Sequence, residues 1–287
     1  MAKLAGRGGF SGGVYRSNSP LGDDQMMRVA PSIFAENAHV SRSARYTYIP
    51  TIDVINGLRR EGFEPFMVAQ GSSRVEGKAE FTKHMIRMRH RSDIATTEAN
   101  EVILVNSHDG TSSYQLISGM IRFACNNGLV CGENIQDFRV PHKGDIVHDV
   151  IEHAYQTLDG FGLIREVTEE MKAVTLDDAQ AERFAQAALM LRYEPTTGED
   201  GQVVEAPIFA HQLLRARRAE DADRSVWTTF NRVQENAVRG GLPGRSASNR
   251  RIQTREVTGI DQSIKLNRQL WTLAEFVAKA VSQPVEA

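Results

Sequence analysis

Two adjacent residues have the makings of a proton-transfer couple: His108 and Asp109, in the stretch NSHDGT. An imidazole that titrates near neutrality beside a carboxylate is a common general acid–base pair. Neighbours at a hairpin tip point apart, however, and Asp109-Gly110 is also what a tight turn requires. Cys125 offers a nucleophile, but nothing local orders a base for it, and a buried cysteine packs as a small apolar residue. Cys125 and Cys131 are spaced C-x5-C, unlike the C-x2-C of a zinc knuckle, and no spacing ties His84, His90 or His108 to them. Glu169-Glu170 and Asp177-Asp178 read as solvated helix faces and caps. No phosphate-binding loop, dinucleotide fingerprint or nucleophile elbow is present. The expectation is a protein that is not an enzyme and holds no metal or cofactor.

Arginine and lysine form a more coherent chemistry. Arg74, Lys78, Lys83, Arg87, Arg89 and Arg91 lie within eighteen residues, against Glu76 and Glu80. On a strand, alternation puts Ile86 and Met88 on one face and Lys83, Arg87, Arg89 and Arg91 on the other. Each successive pair is then roughly 7 Å apart. That matches an extended phosphate backbone, which such a row tracks without reading sequence; it equally suits a solubilising or edge-guarding sheet face. A second stretch, Arg215 to Arg255, holds ten arginines and no lysine against four acids. Arginine forks onto phosphate and stacks on bases. Within it, GRSASNRRIQTR sets Arg245, Arg250, Arg251 and Arg255 among small polar residues, as in a flexible backbone clamp. The competing reading pairs these arginines with acids of the chain itself. Tyr46 and Tyr48 are candidates for base stacking or for a half-buried strand.

These residues need elements to position them. Thr51 reads as the N-cap of a helix carrying Ile52, Ile55 and Leu58, ended by Gly62. Strands follow at 63–68, 81–91, 101–107 and 112–117, with the Asp-Gly hairpin between the last two and a further turn at Asn127-Gly128. After Pro141 the pattern becomes helical. Helices open at Asp145 and at 175–178, a short one spans 208–218, and two more occupy 226–239 and the stretch from Asp261 on. The expected fold is α+β with segregated layers. Residues 1–45 read as a flexible or oligomer-docking arm, 46–140 as a helix plus antiparallel β-meander core, and 141–287 as a helical region with an Arg-rich loop at 242–259.

The chain of 287 residues has a net charge of −2, which counts at first against a nucleic-acid partner. That total conceals segregation. Residues 1–100 carry +4, 101–200 carry −10 and 201–287 carry +4. Two cysteines cannot staple so long a chain, which suggests a reducing compartment, and no apolar run reaches the roughly 20 residues of a membrane span. With no apolar core in its first twenty residues to form a secretory signal, a cytoplasmic protein of a bacterial host is expected.

Residues 106–130, NSHDGTSSYQLISGMIRFACNNGLV, resemble the signature of the phage/plasmid-like family known as domain-of-unknown-function family 932. The matching positions are Asn106, His108, Asp109, Gly110, Arg122, Cys125, Asn127, Gly128 and Leu129. The late stretch SVWTTFNRVQEN, with Trp227, Asn231 and Glu235, is similar to the same family's closing segment. The resemblance covers the chain from about Tyr46 onward, and it implies a mobile-element setting without a stated activity. The order of elements is also similar to the core of Rad-fifty-two-type single-strand annealing proteins, which set a helix before a β-meander with a Gly-aromatic step, here Gly62-Phe63, and a "DG" turn. That resemblance implies an oligomeric ring or filament that binds single-stranded DNA and anneals it in recombination without ATP. The expected DNA-binding residues are Arg74, Lys78, Lys83, Arg87, Arg89, Arg91, Arg245, Arg250, Arg251 and Arg255. The alternative is an anti-restriction or anti-defence protein working by protein–protein contact through the acidic middle, and a third reading is a hydrolase or metal enzyme built on His108, Asp109 and Cys125.

Overall fold

The computed structural model describes residues 13–41, 48–73, 75, 77–93, 98–123, 127–131, 138–140, 146–197 and 203–282. The chain divides into two compact units. The first is Met1–Gly128 with Asn134–Gly162, and the second is Leu129–Glu133 with Leu163–Ala287.

The first unit is built on an antiparallel sheet. The strands of that sheet are β1 (Val14–Arg16), β2 (Phe63–Gln70), β3 (His84–His90), β4 (Glu98–Asn106), β5 (Tyr114–Arg122), β6 (Asn127–Val130, of which Asn127 and Gly128 fall in this unit) and β7 (Phe138–Val140). They run in chain order from β1 to β6, and β7 also pairs with β5. The expected strands are all present. Asn127-Gly128 is not a turn, however: both residues open β6.

Burial along β2 to β5 is nearly continuous, not alternating. A sheet covered on both faces hides both sets of side chains. Where an arm is expected, residues 13–34 are folded into this unit. β1 pairs with β2, Leu21 is buried just before helix α1 (Asp23–Val29), and the helix and the 3₁₀ turn after it bury Met26 and Ile33. Helix α2 (Thr51–Arg60) buries Val54, Ile55 and Leu58. A Cβ at Gly57 would lie 3.1 Å from Ile151 and 3.2 Å from Val147. Glycine there lets α2 lie close against the start of α3 (Ile146–Ala173).

The second unit is helical. It holds the end of α3, then α4 (Asp178–Arg192), the single turn α5 (Ala210–Leu213), α6 (Val226–Arg239) and α7 (Ile260–Ser282). Asp177 caps α4, accepting from the Gln180 amide while the Gln180 side chain accepts from the Asp177 amide; this reciprocal arrangement satisfies two otherwise orphaned donors. The expected stripe of α6, Trp227, Phe230, Val233 and Ala237, is buried, and Trp227 and Phe230 meet Trp271 of α7 edge-on. Each such aromatic contributes roughly 1.5–3 kcal/mol by leaving water. Two small antiparallel ladders complete the unit: β8 (Thr196–Thr197) with β9 (Val203–Val204), and β10 (Pro243–Arg245) with β11 (Arg251–Gln253). The second lies where an irregular Arg-rich loop is expected. Among the described residues, no helix is long and apolar enough to cross a membrane.

Candidate nucleic-acid interface

The basic row expected on β3 is not an exposed row. Arg87 and Arg89 are 6% and 2% exposed, and both are tied to the fully buried Glu101 of β4. Arg87 Nε donates to Glu101 Oε2 at 2.5 Å and Arg89 Nε to Glu101 Oε1 at 2.8 Å. Met88 pairs with Val102, so one residue further the strands set Arg89 across from Glu101. The Arg87 Nη2 also donates to the Met120 carbonyl at 3.2 Å. The Arg89 guanidinium lies 4.1 Å from the centre of the Phe66 ring and 4.9 Å from that of Phe123. Alternation correctly set both arginines on one face, but that face is covered.

The rest of the row is dispersed. Lys78 Nζ lies 3.2 Å from Asp109 Oδ2. Lys83 is half-buried just before β3, Arg91 is exposed in the turn after it, and Arg74 lies outside the described residues.

The family-signature residues build the sheet unit. His84 on β3, Thr51 on α2, Asn106 and His108 at the end of β4, and Tyr114 on β5 converge in the buried core. Ser32 donates to Gln70 Oε1, leaving its oxygen to accept from His84 Nδ1 at 2.8 Å. His84 Nε2 is then the acceptor for the Thr51 hydroxyl at 2.9 Å, and Thr51 accepts from Asn106 Nδ2 at 3.1 Å. Burial and the neighbouring His108 push the His84 imidazole well below its ordinary value, so it is neutral. Thr51 is therefore no N-cap: it is the first helical residue, and its hydroxyl serves this network.

Asp109 accepts from the Thr111 amide at 3.0 Å and the Thr111 hydroxyl at 2.6 Å. Burial raises its carboxyl, but these bonds and Lys78 outweigh that and hold it below the usual range. Gly110 sits at φ +75°, which only glycine adopts freely. Arg122 is buried in β5. Gly128 makes room for a guanidinium, since a Cβ there would lie 2.1 Å from Arg87 Nη1. Asn127 contributes its backbone to β6, and Cys125 lies outside the described residues. Among the described residues no three His, Cys, Asp or Glu side chains group as metal ligands.

The remaining candidates come together in the second unit. Eight of the ten arginines of the late stretch fall into two kinds. Arg218 pairs with the buried Asp221 and Glu235 at 2.6 and 2.7 Å, and Arg239 with Glu235 at 3.0 Å. Arg224 meets Asp178, and Arg217 donates to Asn236 and to the Gly240 carbonyl. Arg217 and Arg218 thereby fasten the segment before α6 onto that helix. Arg245, Arg250, Arg251 and Arg255 lie on or beside the β10–β11 hairpin and are all exposed; among the described residues none is paired with a carboxylate.

The hairpin is firmly built. Gly240 at φ +62° ends α6, and Gly241 N and Thr254 N bond to Thr254 O and Leu242 O respectively. Arg245 N donates to Pro207 O at 2.8 Å, and a Cβ at Gly244 would lie 2.3 Å from that oxygen. Asn249, at φ 59°, turns the chain, and Arg245 Nη1 donates to its Oδ1 at 2.9 Å. Arg245 thus braces the turn, which leaves Arg250, Arg251 and Arg255 presented outward.

Beside the hairpin lies an open groove of about 850 Å³, lined among others by Phe209, His211, Gln212, Arg245, Arg251 and Ile252. Phe209 is 73% exposed, and its ring stacks on that of His211 with centroids 5.8 Å apart and planes 10° from parallel. Sequence reading missed this aromatic. No sequence signal sets it apart: Phe209 and Leu213 stand at i, i+4, a spacing that reads as one buried stripe, and Phe209 escapes it because it is the extended residue just before α5. Of the tyrosines proposed for stacking, Tyr48 donates to the Ala35 carbonyl and packs against His108, and Tyr46 lies outside the described residues.

A family model, "Domain of unknown function (DUF932)", matches residues 38–271. The chain is 46% identical over 275 residues to the UPF0380 protein YafZ of Escherichia coli (strain K12), covering 96% of this chain and 97% of that protein. It is also 46% identical over 275 residues to the UPF0380 protein YfjQ of the same strain, with the same coverage. No solved structure matches.

Proposed function

We propose that this chain, which belongs to the DUF932 family of proteins of unknown function, binds single-stranded DNA through the β10–β11 hairpin and its groove, and promotes annealing as an oligomer without ATP. One observation carries the reading: Arg250, Arg251 and Arg255 stand exposed on or beside the hairpin with no carboxylate partner among the described residues, and Arg251 shares the groove with the exposed Phe209. Guanidinium forks hold phosphates irrespective of sequence. An aromatic face accepts any base. Together they would hold a strand extended with its other bases free to meet a complement.

Binding should be sequence-tolerant and fall steeply with salt, by a slope of about 0.7 per neutralised phosphate in a log–log plot. Fluorescence anisotropy with an oligo-dT at low salt tests this. The triple variant Arg250→Glu, Arg251→Glu, Arg255→Glu is expected to weaken binding more than about tenfold and to flatten the salt slope. An absence of binding by the wild type, or an unchanged affinity in the variant, overturns it. Light scattering with and without an unstructured oligonucleotide tests the assembly: a monomer indifferent to DNA rules out annealing by a ring or filament.

A second reading rests on the exposed acids of the second unit's helices, Glu166, Glu169 and Glu182 among them. That surface suits a basic protein partner, as an anti-restriction factor would need. Stoichiometric capture of a host nuclease, with no affinity for DNA, would favour it.

A further inference from the structure

In the sheet unit, a pocket of about 250 Å³ opens among Arg16, Ser17 and Asn18 of the β1 segment, Phe66, and the Arg87, Arg89 and Glu101 cluster. Arg89 is its unusual member. Its side chain is about 3% exposed, clamped between two phenyl rings, with Nε committed to Glu101. Its two terminal nitrogens meet no acceptor among the described residues, and neither is fully sealed off. A buried guanidinium with its fork unengaged is costly unless something supplies acceptors. The Arg89 fork is a pair of donors facing this pocket, so the ligand that suits it is an anion with paired oxygens.

We infer that this pocket is a binding site for a phosphate monoester, with the Arg89 fork on two phosphate oxygens and Arg16 closing on the third. Phosphate monoesters are close to dianionic at pH 7 and present oxygens spaced for a bidentate arginine. The volume lies below the roughly 300–1,000 Å³ of pockets that enclose whole drug-sized ligands. It admits a phosphate with a small attached group, while a base would stay outside. This site does not rest on the hairpin's role, because it lies in the other unit and needs no strand.

The test is isothermal titration of the full chain with inorganic phosphate, ribose 5-phosphate and, as control, ribose, at matched ionic strength. Phosphate and ribose 5-phosphate bind, and ribose does not. Arg16→Ala, at an exposed position on β1, weakens both by about tenfold or more, the loss of one charge-assisted contact. Arg89→Lys keeps the charge, removes the fork and abolishes binding; circular dichroism checks that it is folded, and Arg16→Ala decides the matter if it is not. No heat with phosphate beyond that with chloride, or equal affinity in Arg16→Ala, overturns the site.

An oligonucleotide bearing a 5′-phosphate, compared with its 5′-hydroxyl twin, identifies the source. A gain in affinity that Arg16→Ala removes points to a strand end, and no gain alongside ribose 5-phosphate binding points to a small ester. The 5′-hydroxyl strand reports on the hairpin alone, so loss of either proposal leaves the other standing.

Discussion

Arg87 and Arg89 on β3, and Arg250 and Arg251 at the hairpin, are the same residue type with opposite fates. The first two are buried at a two-to-one ratio on Glu101, while the others are exposed with no carboxylate partner among the described residues. The difference lies in the neighbouring strand. β4 offers a carboxylate in register with Arg89 and within diagonal reach of Arg87, and the covered sheet removes water that would otherwise solvate them. β10 offers Arg245, which is opposite Arg251 and is itself turned onto Asn249. The basic density of a segment therefore says less than what stands across from it.

The largest effect should come from Glu101. Glu101→Gln leaves two buried guanidiniums without their counter-charge, and urea unfolding should show a loss of about 3–5 kcal/mol. A loss under 1 kcal/mol would mean the buried cluster is not the ionic core it is taken to be. The sheet unit also carries acid sensitivity close to neutrality, through His84. His84 has its folded value depressed below its ordinary 6.5. The unfolded chain therefore binds the proton first, so stability is full above about pH 6.5 and falls as pH drops below it. Asp109, also depressed, adds a loss at still lower pH, as the pH falls from its ordinary value of 3.8 through its folded one. His84→Asn should flatten the first of these phases in unfolding curves taken from pH 7.5 to 5.

Phe209→Ala should reduce affinity for single-stranded DNA by about 1–3 kcal/mol while leaving the salt slope unchanged, since stacking releases no counterions. The smallest effect sharpens the comparison most. Arg250→Ala with Arg251→Ala should change unfolding stability by less than about 0.5 kcal/mol. A loss as great as that of Glu101→Gln would make the hairpin arginines structural.

Helices α2, α4, α6 and α7 were legible because each carries an apolar stripe with a capping or terminating residue, such as Asp177 or Gly240. β3 and β4 were legible as strands but not as buried ones, because alternation gives a face without saying whether that face is covered. The turn expected at Asn127-Gly128 failed for a related reason. Glycine there answers to the bulk of Arg87, a residue forty-one positions earlier in the chain, which local turn chemistry cannot foresee. Of the candidate interface, the four hairpin arginines were visible as an Arg-only run. Their separation from Arg217, Arg218 and Arg239 depends on which helix each one reaches.

The shared carboxylate also sets how this protein can drift. Loss of Glu101 strands two charges, and loss of either arginine leaves a carboxylate half neutralised in a dry core. Substitutions at these three positions should therefore be strongly non-additive, and a lineage can abandon the triad only by nearly concerted change. The hairpin arginines carry no such mutual debt and can be exchanged singly, so the charge of the hairpin is free to diverge while the sheet stays fixed.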